Sequence, residues 1–198
     1  DWALQAAASW RAPGFQNAGD FPVVCVNWQD AQAYVAWLNG RGDAAKGRFR
    51  LPTEAEREYA TRAGTETPFW WGRTIAPRDA NYDTRDGYAG SEDRAAYRGA
   101  TIAVQSFAPN AWGLHQVHGN VWEWTEDCYV DDYIGKPPEL LKDGSMPRSD
   151  RGCDRRSLRG GAFNRQPKTL RAAYRTGLAA DFRGHSIGFR VVRELPAR

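Results

Sequence analysis

The sequence has one methionine, three histidines and three cysteines in 198 residues. Cys25, Cys128 and Cys153 form no CxxC pair, so no thiolate metal site of that spacing exists. Three is an odd number. The expectation is reduced, partly buried thiols in a cytoplasmic protein; the alternative is one disulfide and one free thiol. No apolar run approaches the length of a membrane span. No block of one charge sign appears, and the formal charge is only +3. The arginines are scattered among aromatics rather than gathered in a stripe, which excludes a nucleic-acid face of the usual kind. The chain opens at Asp1 without methionine, and we expect sequence upstream of it.

What is present is a globular composition, 41% hydrophobic and 26% charged, in a chain long enough for one ordinary domain. Nine tryptophans supply large core side chains, while 20 glycines and 11 prolines imply many turns. The densest stretch runs from Asn110 to Asp127. Val121-Trp122-Glu123-Trp124 alternates as a strand does, and Gly119-Asn120 before it suits a tight turn with positive φ.

Two helices are legible. Asn27 with Asp30 forms a capping pattern before Ala31, Tyr34, Val35 and Leu38, which predicts a helix over 28–39 ending at Gly40. Thr53 with Glu56 is a capping box and predicts a helix from about 54 to 63, ending at Gly64. Glu54, Glu56 and Glu58 suit the helix dipole and arginine pairing better than acid–base chemistry.

Short strands are predicted at 21–26, 69–71, 104–107, 157–161, 170–175 and 188–193. Residues 40–47 and 81–93 read as polar loops. Residues 128–156, with Lys136-Pro-Pro138 and Asp143-Gly144, read as a long polar loop. His115 and His118 lie three apart in a turn and read as hydrogen-bonding turn residues. No nucleophile–base constellation is evident.

Several ordered motifs resemble the formylglycine-generating enzyme family, also called the sulfatase-modifying factor family. They are Pro22-Val-Val-Cys-Val-Asn-Trp28 with Asp30-Ala31, Arg50-Leu-Pro-Thr-Glu-Ala-Glu56 and Asn110-x-Trp-Gly-Leu114. His118-Gly-Asn-Val-Trp-Glu-Trp124, Arg159-Gly-Gly161, Leu170-Arg-Ala-Ala-Tyr-Arg175 and Gly188-Phe-Arg190 complete the series. The resemblance implies an α+β, C-type-lectin-like fold with two helices and small twisted antiparallel sheets. It implies one domain over 1–198, without the N-terminal stretch that family members usually carry. An upstream domain or a separate N-terminal fragment is therefore an expected partner.

The sequence departs from the family at Arg57, where the resemblance places Trp. It departs again after Gly160-Gly161. There the family's oxidases bind copper through two cysteines, and the matching positions fall near Arg165 and Leu170. Copper(I) needs soft thiolates, so copper-dependent oxidation of a cysteine substrate is not expected. The sulfoxide synthases that resemble this domain keep their iron-binding histidines in a separate upstream domain.

Residues 160–192 also resemble the variable region of retroelement-diversified proteins. On that resemblance Phe163, Arg165, Gln166, Lys168, Tyr174, Thr176, Leu178, Asp181, Phe182 and His185 fall at exposed-type positions that bind a protein or small molecule. Packing is the competing reading for Phe163, Tyr174 and Phe182. Calcium is the implied cofactor. One family site matches Gln116, Gly119, Val121 and Glu123, unless Glu123 pairs with an arginine. A second matches Asn81 and Tyr82, with Asp93 nearby. The leading expectation is a non-catalytic recognition module, with an oxidoreductase acting on a cysteine or thiol as the alternative.

Overall fold

The computed structural model describes residues 8–41, 47–89, 95–132 and 153–195. Lys136–Pro138, Asp143, Gly144, Asp93 and most of the 40–47 loop lie outside them.

Helix α1 is Trp28–Arg41. Its start is the reciprocal cap expected: the Asp30 N–H donates to Asn27 Oδ1 at 2.8 Å, and the Asn27 N–H donates to Asp30 Oδ2 at 3.0 Å. The helix runs past Gly40 to Arg41. Its buried side is narrower than the periodicity predicts, because Ala31 and Val35 are buried while Tyr34 is exposed.

Helix α2 is Glu54–Arg62, and both bonds of the Thr53–Glu56 capping box form. It stops where Ala63 turns left-handed at φ 45°, just before Gly64 at φ 92°. The side facing the protein is polar, made of Glu54, Arg57 and Thr61.

The strands are β1 (Phe49–Arg50), β2 (Trp122–Cys128), β3 (Arg155–Arg159), β4 (Thr176–Ala179), β5 (Ile187–Phe189) and β6 (Val192–Arg193). β1 pairs with β6, and the larger sheet has the order β4-β3-β2-β5. β3 and β4 pair antiparallel, as do β2 and β3, but β5 runs parallel to β2 with Trp122 opposite Ile187. The β1–β6 pair is antiparallel as expected, and the larger sheet is antiparallel except for the parallel β2–β5 pairing, which makes it mixed.

β2 is central to this sheet and lies buried along most of its length. Trp122 and Trp124 enter the main core with Ala31, Val35, Leu51, Leu158, Ala162 and Ile187. Two indoles at this core, buried Trp124 and half-buried Trp28, carry polar handles. Trp124 Nε1 donates to Val26 O at 3.1 Å, and Trp28 Nε1 donates to Thr125 O at 2.9 Å. A second cluster gathers Phe69, Ile75, Ala80, Tyr82 and Leu170.

Five predicted strands differ. Residues 21–26 form none, because Cys25 sits at φ 61° and gives its N–H to Gly184 O at 3.0 Å. Residues 104–107 form a turn whose Val104 N–H reaches Asp20 O. Pro167–Leu170 is a 3₁₀ turn that forces the next strand to begin later, at Thr176. The predicted strand over 188–193 divides between two sheets. At Phe69–Gly72 the bridge is a tight turn.

The cysteines correct the reduced-thiol expectation. Cys128 and Cys153 are disulfide-bonded with Cα atoms 5.3 Å apart, and Cys25 is free and buried. Burial pushes the Cys25 thiol pKa up, which makes it a poor nucleophile. The bond ties the end of β2 to the approach of β3 across a separation of 25 residues. For a loop of that length the chain-entropy estimate is roughly 3 kcal/mol. Cys153→Ser is expected to lower unfolding free energy by about that amount in urea titrations. Without reductant, alkylation of the unfolded wild type should modify Cys25 alone.

Candidate functional site

The candidate site is the turn 115–121 and the segment 160–170 that lies against it. Gly119 has φ 80° and Asn120 φ 67°, so the backbone reverses within two residues. Asn120 then locks the turn. Its N–H donates to Asn81 O at 2.8 Å, its Oδ1 accepts from Ile102 N at 3.0 Å, and its Nδ2 donates to Ile102 O at 3.0 Å. The Gly119 N–H donates to Gly160 O at 2.8 Å, which joins the turn to the end of β3.

His118 is the second lock. Its Nδ1 lies 2.6 Å from the Leu170 carbonyl, and its Nε2 accepts from the Trp70 N–H at 3.1 Å. A carbonyl only accepts, so the proton sits on Nδ1 and the ring is neutral. Burial drives its pKa down to about 3. His115 Nδ1 reaches Phe107 O at 3.0 Å. Both histidines are the hydrogen-bonding turn residues expected.

Glu123 pairs with arginine. Its Oε2 accepts from Arg57 Nε at 2.7 Å and from Arg190 Nε at 2.8 Å, and its Oε1 accepts from Arg190 Nη2 at 2.9 Å. Burial would raise this carboxyl, but the charges of Arg190 and Arg57 outweigh it and hold the pKa down to about 2. Glu54 is held below its ordinary value in the same way, against burial, by Arg175 and Arg159.

The predicted metal residues separate into two groups. Gln116, Gly119, Val121 and Glu123 do share the turn. The Gly119 carbonyl, however, accepts the Val121 N–H at 2.9 Å, and Glu123 is taken by arginine. Gln116 gives its amide to Ala103 O at 3.2 Å while its Oε1 stays buried without a hydrogen bond. Asn81 and Tyr82 are buried beside Gly119, and Asn81 Oδ1 has no hydrogen-bond partner. Among the described residues there is no group of three or more His, Cys, Asp or Glu side chains able to hold a metal ion.

The predicted ligand face is part surface and part core. Gln166, Lys168 and Asp181 are exposed, and Arg165, Thr176 and His185 are half-buried. Gln166 and Lys168 line a cleft with Asp86 and Gly87. Phe163 is 1% exposed and packs edge-on to Phe15, so for Phe163 packing prevails over display. Tyr174, Leu178 and Phe182 pack partly buried against the main core. His185 lies tilted against Phe163 with ring centroids 5.7 Å apart and faces Asn164 Nδ2 at 3.4 Å.

At the two positions where the resemblance puts copper thiolates stand Arg165 and Leu170. Arg165 is half-buried, and burial lowers its pKa. Leu170 is 0% exposed within the second cluster. A Cβ on Gly161 would lie 2.7 Å from Leu170 Cδ1, and one on Gly119 would lie 2.9 Å from Leu170 Cδ2. Hydrocarbon thus fills this position against two glycines. The sequence marks both arginine partners of Glu123, Arg57 as the departure from Trp and Arg190 as the end of the Gly188-Phe-Arg190 motif, but no local pattern links either one to Glu123.

This mixed sheet with two helices and long irregular connections is the formylglycine-generating-enzyme form of the C-type-lectin-like fold. The chain belongs to the sulfatase-modifying factor enzyme 1-like domain family, whose match covers residues 2–195. It is 34% identical over 211 aligned residues to a formylglycine-generating enzyme of Thermomonospora curvata. That alignment covers 96% of this chain but 62% of the relative. PvdO from Pseudomonas aeruginosa superimposes with a TM-score of 0.74 at 36% identity, over 91% of this chain and 65% of that one. Treponema denticola variable protein 1 shares the fold with a TM-score of 0.69 at 24% identity, over 96% of this chain and 79% of that one.

The two buried titrations carry opposite charges but the same sign of linkage. His118 binds its proton less readily when folded, so its contribution is complete above its unfolded pKa near 6.5 and falls as pH drops toward about 3. Glu123 contributes above its unfolded value and is lost as pH falls through about 2. Between pH 6 and 4, unfolding free energy should decline by about 1.4 kcal/mol per pH unit from His118 alone. His118→Gln should be less stable at pH 7 and flatter across that window, read by urea titration at each pH.

Proposed function

We propose that this domain is a non-catalytic recognition module that holds a protein or small-molecule ligand on the 162–187 face. The observation that carries the reading is Leu170. A buried aliphatic side chain occupies one of the two positions where the family's oxidases are expected to hold copper, and Arg165 occupies the other. Neither is a soft ligand. Of the three cysteines, Cys128 and Cys153 are bonded to each other and Cys25 is buried under a different cluster.

The binding surface is the exposed set Gln166, Lys168 and Asp181 with half-buried Arg165, Thr176 and His185. Phe163, Tyr174, Leu178 and Phe182 hold this surface from beneath. Loops presented by a packed scaffold suit recognition because they can change without repacking the core. The bonded cysteine pair supports an oxidising compartment rather than the cytoplasm. Calcium, where it binds, is proposed for the Asn81 and Tyr82 position, because Asn81 retains a buried oxygen without a hydrogen bond.

The identity to a named formylglycine-generating enzyme favours a second reading, an oxidoreductase that acts on a cysteine or thiol. A Cu(I) competition titration under reducing conditions separates the two. The recognition reading expects no tight, stoichiometric copper and no aldehyde or other oxidised product from a cysteine-containing peptide under air. Tight copper together with peptide oxidation would overturn it.

A further inference from the structure

The resemblance puts a calcium ion among Gln116, Gly119, Val121 and Glu123, and the residues present do not fit one. Calcium takes roughly six to eight oxygen ligands at about 2.3–2.6 Å. Here the Glu123 carboxylate spends both oxygens on guanidinium donors, three bonds between 2.7 and 2.9 Å. The Gly119 carbonyl is taken by the Val121 N–H. Gln116 Oε1 is the remaining buried side-chain oxygen of that set without a hydrogen bond, and with the Val121 carbonyl it gives two neutral oxygens, far from a coordination shell.

The guanidinium that intrudes is Arg57. Its side chain is 2% exposed. Nε meets Glu123, Nη2 donates to Val117 O at 3.2 Å, and Nη1 donates to the Thr61 hydroxyl. Its Nη2 end also points at the backbone of the turn. A Cβ built on Gly160 would lie 3.1 Å from Nη2, 3.6 Å from Val117 O and 3.8 Å from Val121 O, so all three converge on Gly160. Glycine at φ 99° leaves the space the guanidinium uses.

We propose that Arg57, together with Arg190, is the resident cation of the central turn and stands in the place of the divalent ion. Two guanidinia carry the same charge as one calcium ion. With Glu123 the cluster is already net positive by one, so a divalent ion entering beside it would meet unscreened repulsion in a buried site. The guanidinium is also planar and always charged, so it brings fixed donors to the carboxylate and to the Val117 carbonyl without any ion from solution. The turn is therefore independent of calcium at this position, whatever binds at Asn81.

Two measurements test this. In the wild type, the Arg57 Nε–H resonance in a nitrogen-15 NMR spectrum should be sharp, slow to exchange, and unmoved by millimolar calcium or by chelator. Displacement of that resonance by calcium would overturn the proposal. In Arg57→Trp, which restores the residue the family resemblance expects, equilibrium dialysis should count about one more calcium per chain than in the wild type. The thermal midpoint of this variant should also become dependent on calcium. A folded Arg57→Trp that binds no more calcium than the wild type would overturn the claim that the guanidinium holds the ion's place. Should that variant fail to fold, the wild-type resonance decides.

Discussion

Two buried carboxylates hold this structure to its helix. Glu54 meets Arg159 at 2.8 Å and Arg175 at 2.5 Å; Glu123 meets Arg57 at 2.7 Å and Arg190 at 2.8 Å. The groups come from α2, β2, β3, the approach to β4 and the link from β5 to β6. Helix α2 has too little apolar surface on its inner side to dock by burial alone, since that side is Glu54, Arg57 and Thr61. Its position is therefore set by charge geometry. Such pairs gain little net stability over apolar substitutes, because desolvation offsets their attraction. Removing one partner is different, because it strands a buried charge at a cost of about 3–5 kcal/mol. The network consequently acts as a specification: other placements of α2 leave a charge unpaired.

The helices and the central strand were legible because their signals are local. Thr53 and Glu56 satisfy each other within one turn, as do Asn27 and Asp30, and alternating tryptophans mark β2. Two of the failures share one cause. The apolar run 21–26 looks like a strand, but Cys25 adopts a left-handed conformation to reach Gly184 across 159 positions of sequence. Likewise Val192 pairs with Arg50 while Phe189 pairs with Trp124, so one apolar run serves two sheets. Long-range pairing decides these segments, and propensity carries no record of it.

The site was legible in outline and not in role. The turn at Gly119-Asn120 was readable from residue type alone, and His118 was readable as a hydrogen-bonding residue. The expected ligand positions mixed surface with core because alternation is a poor guide in irregular backbone. Phe163 follows a glycine pair with positive φ, and its ring goes inward to Phe15 and His185. The partners of Glu123 were hidden for another reason. Arg57 lies 66 positions away in sequence and Arg190 lies 67, and only their convergence gives the carboxylate its meaning.

The departures from the family at Arg57 and Leu170 bear on the same few atoms. Leu170 touches the turn from one side, with its carbonyl on His118 and its methyl groups over Gly119 and Gly161. Arg57 touches it from the other, through Val117 and Glu123. Between them the turn 117–123 is gripped by hydrocarbon on one side and by fixed positive charge on the other. Each grip supplies what a bound ion would otherwise supply there, volume in one case and charge in the other. On the proposal above, a turn held this way would need no ion at Glu123 to stay folded. The cost is that both supports are deeply buried, so neither can adjust to a ligand. On the recognition reading proposed above, variation would fall to the outer residues of the 162–187 face, where Gln166, Lys168 and Asp181 touch solvent.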